Sequence, residues 1–220
     1  MDGPGEPASN ATGESAGDEG LLSALEGERG RRLVHFSGSA IPLLYYATVE
    51  FDSKWIGFGL FVLGLATALG MEIARLHYQV RWWAFEHLTR PYEEEKVAGY
   101  ALYAVSMTLV AFVFEPSIAI PAMLMLSVGD PVSGLLSGNE RIKGPRVTVP
   151  TFLVCLVIGL PFLSPIVAAA AATAATASDA VLVSVRDYVL DDNLTIPVAA
   201  ASAAWLVREF ADLLGTGGLV

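Results

Sequence analysis

Apolar residues in this chain gather in long blocks separated by short polar clusters, and these blocks dictate the elements expected. Seven of them read as helices: His35 to Val49, Trp55 to Leu76, Val97 to Phe114, Ser117 to Leu136, Val147 to Leu163, Pro165 to Val185 and Leu194 to Val207. Their lengths, several near the short limit, suit segments that cross ~30 Å of hydrocarbon. The fold class expected is therefore all-α, a polytopic membrane helix bundle with about seven transmembrane helices. The boundary between the fifth and sixth blocks is the least sharp. "SPIVAAAAATAATASDAVLVSV" is Ala-rich and only mildly apolar, so it reads either as a span or as a helix packed inside the bundle, which would leave six spans.

The opening residues break this pattern. "MDGPGEPASNATGESAGDEG" is rich in Gly, Ala, Ser and acids and holds no apolar run. Such a composition buries too little surface to fold alone, so a disordered acidic tail is expected over 1–32. It also lacks the early basic region and apolar core of a secretory signal. Residues 33–214 then make one membrane-embedded domain. Composition agrees, because 54% of the 220 residues are hydrophobic and only 16% charged, a balance too apolar for a soluble domain.

The cations orient the spans. With the amino terminus cytoplasmic, seven crossings put Arg29, Arg31, Arg32, Arg75, Arg81, Arg90, Lys96, Arg141, Lys143, Arg146 and Arg186 on the cytoplasmic side, against Lys54 and Arg208 opposite. That is 11 of the 13 basic residues, the asymmetry expected of a multi-pass protein of the cell membrane. The same topology gathers the polar end of "GDPVSGLLSG", the loop from Arg75 to Lys96 and "RDYVLDDN" on one face, where cytoplasmic nucleotides have access.

Chemistry is concentrated in "SVGDPVSGLLSG". An acid, Asp130, follows an almost wholly apolar segment, and a carboxylate there costs several kcal/mol unless it is used. Gly129, Gly134 and Pro131 around it predict a broken or capped helix, with free backbone N–H groups for an anion and Asp130 for a cation. Downstream, Lys143 and Arg146 flank Gly144 and Pro145 in a cationic loop suited to phosphate oxygens. A divalent ion on an acid, with phosphates on flexible cations, is the usual assembly for phosphoryl transfer. The bland alternative is an interfacial loop that merely obeys the charge asymmetry. Asp191, Asp192 and Asn193 add an acidic cluster at the start of the last span, where capping accounts for one of them. Glu72 and Arg75 share a helical face, either satisfying each other or forming a polar wall of the site. "RWWAFEHL" suits the membrane surface. Cys155, the single cysteine, reads as a small core residue. His35, His77 and His87 have no ligand spacing, and the absence of GxxxxGK[ST] excludes a P-loop enzyme.

The ordered set of motifs resembles the dolichol kinase family of CTP-dependent membrane lipid kinases, with diacylglycerol and phytol kinase relatives and a distant likeness to phosphatidate cytidylyltransferases. The likeness runs from "RRLVHFSGSAIPLLYY" through "EIARL", "RPYEEEKVAGYALY" and "SVGDPVSGLLSG" to "DDNLTIPVAAA". Where the family continues "GK..K..EG", this chain has "GNERIKGPRVTVPTF", without the signature Glu. The resemblance implies a lipid kinase that uses CTP as phosphate donor and Mg²⁺ or a similar divalent cation, and phosphorylates a lipid alcohol of the dolichol or polyprenol type. Asp130 and Asp191 would hold the metal. Lys143 would contact phosphate, Asp191 with Asn193 would complete the site, and Arg75, Arg90, Glu72 and Glu93 are weaker correspondences. Rival readings are a cytidylyltransferase making a CDP-lipid and a non-catalytic membrane transporter. Nucleic acid is not an expected partner.

Overall fold

A computed structural model describes residues 36–215 except 81, 83–84, 86–88, 90–92, 94–95, 138–141, 182–183, 186–187 and 190. The expected tail over 1–32, Arg90 and Arg141 lie outside the described residues, as does most of "RWWAFEHL". Seven helices make up the described chain: α1 (Ala40–Glu50), α2 (Lys54–Leu76), α3 (Gly99–Val113), α4 (Pro116–Leu136), α5 (Pro145–Gly159), α6 (Pro165–Ala180) and α7 (Asp192–Leu213). Between α6 and α7, Ser184–Val185 pairs antiparallel with Tyr188–Val189 in a two-residue ladder.

Length and composition qualify three helices to cross a membrane: α2, α4 and α7. At 15 residues each, the apolar helices α3 and α5 extend about 22 Å, short of a hydrocarbon core of ~30 Å. Local signals set the helix starts. Proline, which has no N–H to leave unsatisfied in a first turn, opens α4, α5 and α6. Asp191 caps α7 by accepting from the Asn193 N–H. The sixth block ends at Ala180 rather than Val185. Val181 leaves the helix with φ −124° and ψ 113°, and it pairs with Ile142 in an isolated bridge, as its β-branched side chain favours.

Helix α4 is the axis of the bundle, buried from Ile118 through Ser127. A helix broken at Gly129 and Asp130 was expected; the structure has a π turn instead. Met125–Gly129 is π-helical, and Asp130–Leu136 resumes the α-helix with Gly129 and Asp130 both in helical conformation. Pro131 supplies the reason, because it has no N–H for a carbonyl four residues back and its ring crowds that carbonyl; the wider turn accommodates both.

The Ala-rich stretch packs as tightly as its composition allows. Ala168, Ala171, Ala172 and Ala175 of α6 and Ala200, Ala201 and Ala204 of α7 are all buried, and small side chains let the two backbones approach closely. Gly57 does the same for α1 against α2, where a Cβ would fall 2.5 Å from the Tyr45 ring and the Thr48 hydroxyl. Facing outward are Leu60, Leu63 and Ile73 of α2, Leu153 and Val157 of α5, and Leu206 and Phe210 of α7. An apolar exterior of this kind marks membrane association.

Candidate functional site

Contacts among the described residues bring helix ends together: the Lys143 N–H donates to the Ala180 carbonyl, Arg75 at the end of α2 donates to the carbonyls of Glu93 and Lys96, and Gly99 at the start of α3 faces Asn193 at the start of α7. Three polar clusters lie there. The first is built on the end of α6. Lys143 Nζ donates to Asp179 Oδ1 at 2.6 Å and to Ser133 Oγ at 2.8 Å, and Ser133 Oγ donates to Asp179 Oδ2 at 2.6 Å. The triangle is closed and deep, with the Asp179 side chain 2% exposed and that of Lys143 17%. The backbone supports it, since the Lys143 N–H donates to the Ala180 carbonyl. Asp130, one turn before Ser133, is within electrostatic reach of Asp179.

The second cluster surrounds Gly99, the first residue of α3. A Cβ there would lie 2.8 Å from Asn193 Nδ2, 3.5 Å from Glu93 Oε1 and 3.8 Å from Asp191 Oδ1. Only glycine leaves room for a carboxylate from the preceding segment and an acid–amide pair from α7 to converge there. Asn193 is fixed from three sides. Its N–H and Nδ2 donate to Asp191 Oδ1 at 2.9 and 2.7 Å, and its carbonyl accepts from Ser106 Oγ at 2.6 Å.

The third cluster is a clamp. Arg75 donates from Nε and Nη2 to the Glu72 carboxylate at 3.1 and 2.6 Å, and from Nη1 and Nη2 to the carbonyls of Glu93 and Lys96 at 3.0 and 2.6 Å. Glu72 also accepts from the Ala98 N–H at 2.9 Å and from the Tyr100 hydroxyl. Of the two readings open for this pair, mutual satisfaction is the one the contacts favour. Arg75 ties the segment before α3 to the end of α2, and so it positions Glu93 beside Gly99 rather than offering a free fork to phosphate. A Tyr103–Ser127 hydroxyl contact of 3.1 Å joins α3 to the π turn of α4, linking the Gly99 cluster to the segment that carries Asp130.

The residues singled out in the sequence therefore divide between clusters. Asp130 and Lys143 belong to the first; Asp191, Asn193 and Glu93 belong to the second. Glu93 and Asp191 both approach Gly99, and Asp192 shares the Asn193 N–H with Asp191. Gly129 serves packing, because its Cβ would stand 2.9 Å from Cys155 Sγ. Gly134 is half-buried in the short helical segment after the π turn, and Arg146 is exposed in the first turn of α5. Asp179 and Ser133 are the residues the sequence reading missed. The signal was present, since "TASDAVL" sets an acid in an apolar helix just as "SVGDPV" does.

Among the described residues, no three carboxylate, imidazole or thiol groups converge as a metal cage. No protein-family model, curated protein or solved structure matches the chain.

Proposed function

We propose that this chain is a CTP-dependent lipid kinase, a multi-pass enzyme with about seven transmembrane helices and with its amino terminus and active site on the cytoplasmic side of the cell membrane. It moves the terminal phosphate of CTP onto a lipid alcohol of the dolichol or polyprenol class. One observation carries this reading: an ammonium (Lys143) fixed by Asp179 and Ser133, one turn after Asp130 on α4, accompanies a carboxylate–amide cluster around Gly99. Phosphoryl transfer needs little covalent help from the protein; positioning and charge neutralisation do most of the work. Lys143 and Arg146 hold phosphate oxygens, and Asp130 holds the divalent cation. When bound, Mg²⁺ supplies charge neutralisation across the phosphates. The lipid hydroxyl oxygen bonds to the terminal phosphorus, the bond from that phosphorus to its bridging oxygen breaks, CDP departs, and the hydroxyl proton passes to water.

The test is CTP labelled at either its terminal or its innermost phosphate, given to purified protein with polyprenol or with a lipid phosphate. Terminal label in the lipid supports the kinase. Innermost label in the lipid makes the protein a cytidylyltransferase, and no CTP-dependent label in either lipid favours a transporter.

A further inference from the structure

We infer that Asp179 is a positioning residue whose task is to hold the Lys143 ammonium in place for an incoming phosphate. This deepens the kinase reading and rests on the phosphate-binding role given there to Lys143. Asp179 is the only charged residue of α6, and its location is doubly unfavourable for an anion. Its side chain is 2% exposed, and it lies one residue from the carboxyl end of the helix, where the macrodipole is already negative. A carboxylate so placed needs a cation, and Lys143 is brought to it by two separate contacts: the ion pair at 2.6 Å and the antiparallel Ile142–Val181 bridge, in which the Lys143 N–H donates to the Ala180 carbonyl at 3.3 Å.

The gain runs the other way as well. A lysine has a flexible four-carbon stem with many rotamers. Two hydrogen bonds, one to Asp179 and one to Ser133, leave the Lys143 ammonium with one N–H uncommitted among its described contacts. An ammonium fixed beforehand does not have to be ordered when the ligand arrives.

The experiment uses the full chain in lipid nanodiscs. Ligand-free protein is exposed to an amine-acylating reagent, and modification of Lys143 is followed by mass spectrometry with Lys54 as internal reference. Asp179→Asn is expected to speed modification of Lys143 about tenfold or more, the effect of losing a charge-assisted hydrogen bond; Asp179→Glu stays near wild type. A charge exchange, Lys143→Asp with Asp179→Lys, keeps an ion pair but moves the cation to α6. Positioning predicts restored thermal stability with KM for CTP still raised about tenfold or more, whereas a purely structural pair recovers both. An unchanged Lys143 labelling rate in Asp179→Asn, or a wild-type KM in the charge-exchanged protein, overturns the inference. If the exchanged protein does not fold, the labelling rate decides alone. Wild-type protein that transfers no phosphate from CTP, while Lys143 labelling still responds to Asp179, removes the kinase and leaves the positioning intact.

Discussion

Replacing Arg75 by alanine separates a clamp from a phosphate grip. Among its described contacts, the guanidinium donates twice to the buried Glu72 carboxylate and once each to the carbonyls of Glu93 and Lys96. The side chains of Arg75 and Glu72 are 9% and 6% exposed, so little solvent screens the pair. Removing one partner of a buried ion pair costs about 3–5 kcal/mol, mostly because the other charge is left uncompensated. Glu72 keeps the Ala98 N–H and the Tyr100 hydroxyl, which sets the expectation near the lower end, about 3 kcal/mol. For a domain of this size that corresponds to a fall in melting temperature on the order of 10 °C. The assay is thermal unfolding of detergent-solubilised protein by tryptophan fluorescence, run beside Glu72→Gln and the double variant Glu72→Gln/Arg75→Ala. Neutralising Glu72 in the Arg75→Ala background should recover part of the loss. An Arg75→Ala protein that melts with wild type but has lost CTP affinity would refute the clamp and return Arg75 to the phosphate.

Two further outcomes are expected. Gly57→Ala should destabilise the α1–α2 contact by about 1–3 kcal/mol, since the added methyl meets a ring and a hydroxyl at 2.5 Å; the same unfolding assay reads it, and a wild-type melting point rules out the close approach. Topology is open to cysteine labelling, because the one native cysteine, Cys155, is buried. With the orientation proposed, Glu115→Cys reacts with an impermeant maleimide added outside intact cells and Ile142→Cys reacts only after lysis; the reverse pattern inverts the protein.

The blocks of apolar residues made the helical class and most helix positions legible, because burial and lipid contact both act through residue type alone. Lengths were less legible. The first block promised one helix from His35, which lies outside the described residues; Phe36 and Ser37 are helical, but a turn at Gly38 and Ser39 interrupts the coil before α1 starts at Ala40, and α7 runs six residues past Val207 to Leu213. There Arg208 pairs with Glu115 at 2.7 Å, a contact between residues far apart in the chain that no local pattern encodes. The π turn was invisible for a related reason. Gly129, Asp130 and Pro131 signal a disturbance in α4, but whether it breaks the helix or only widens it depends on the neighbours that enclose it. At the candidate site, residue type marked Asp130, Lys143, Asp191 and Asn193 as noteworthy, yet their partition between Asp179 and Gly99 comes from tertiary packing. Asp179 was hidden by its own surroundings, since a run of alanines draws attention to packing rather than to the single acid within it.

The wide turn in α4 also fixes azimuth. One additional residue in a helical coil rotates everything beyond it by about 100° around the axis, so Asp130 and Ser133 point where an uninterrupted coil would have aimed their preceding neighbours. A plain α-helix of the same sequence through Met125–Gly129 would keep every side chain and every charge while swinging the Ser133 hydroxyl away from the lysine and turning Asp130 with it. In this protein, phase along one central rod decides which groups can meet.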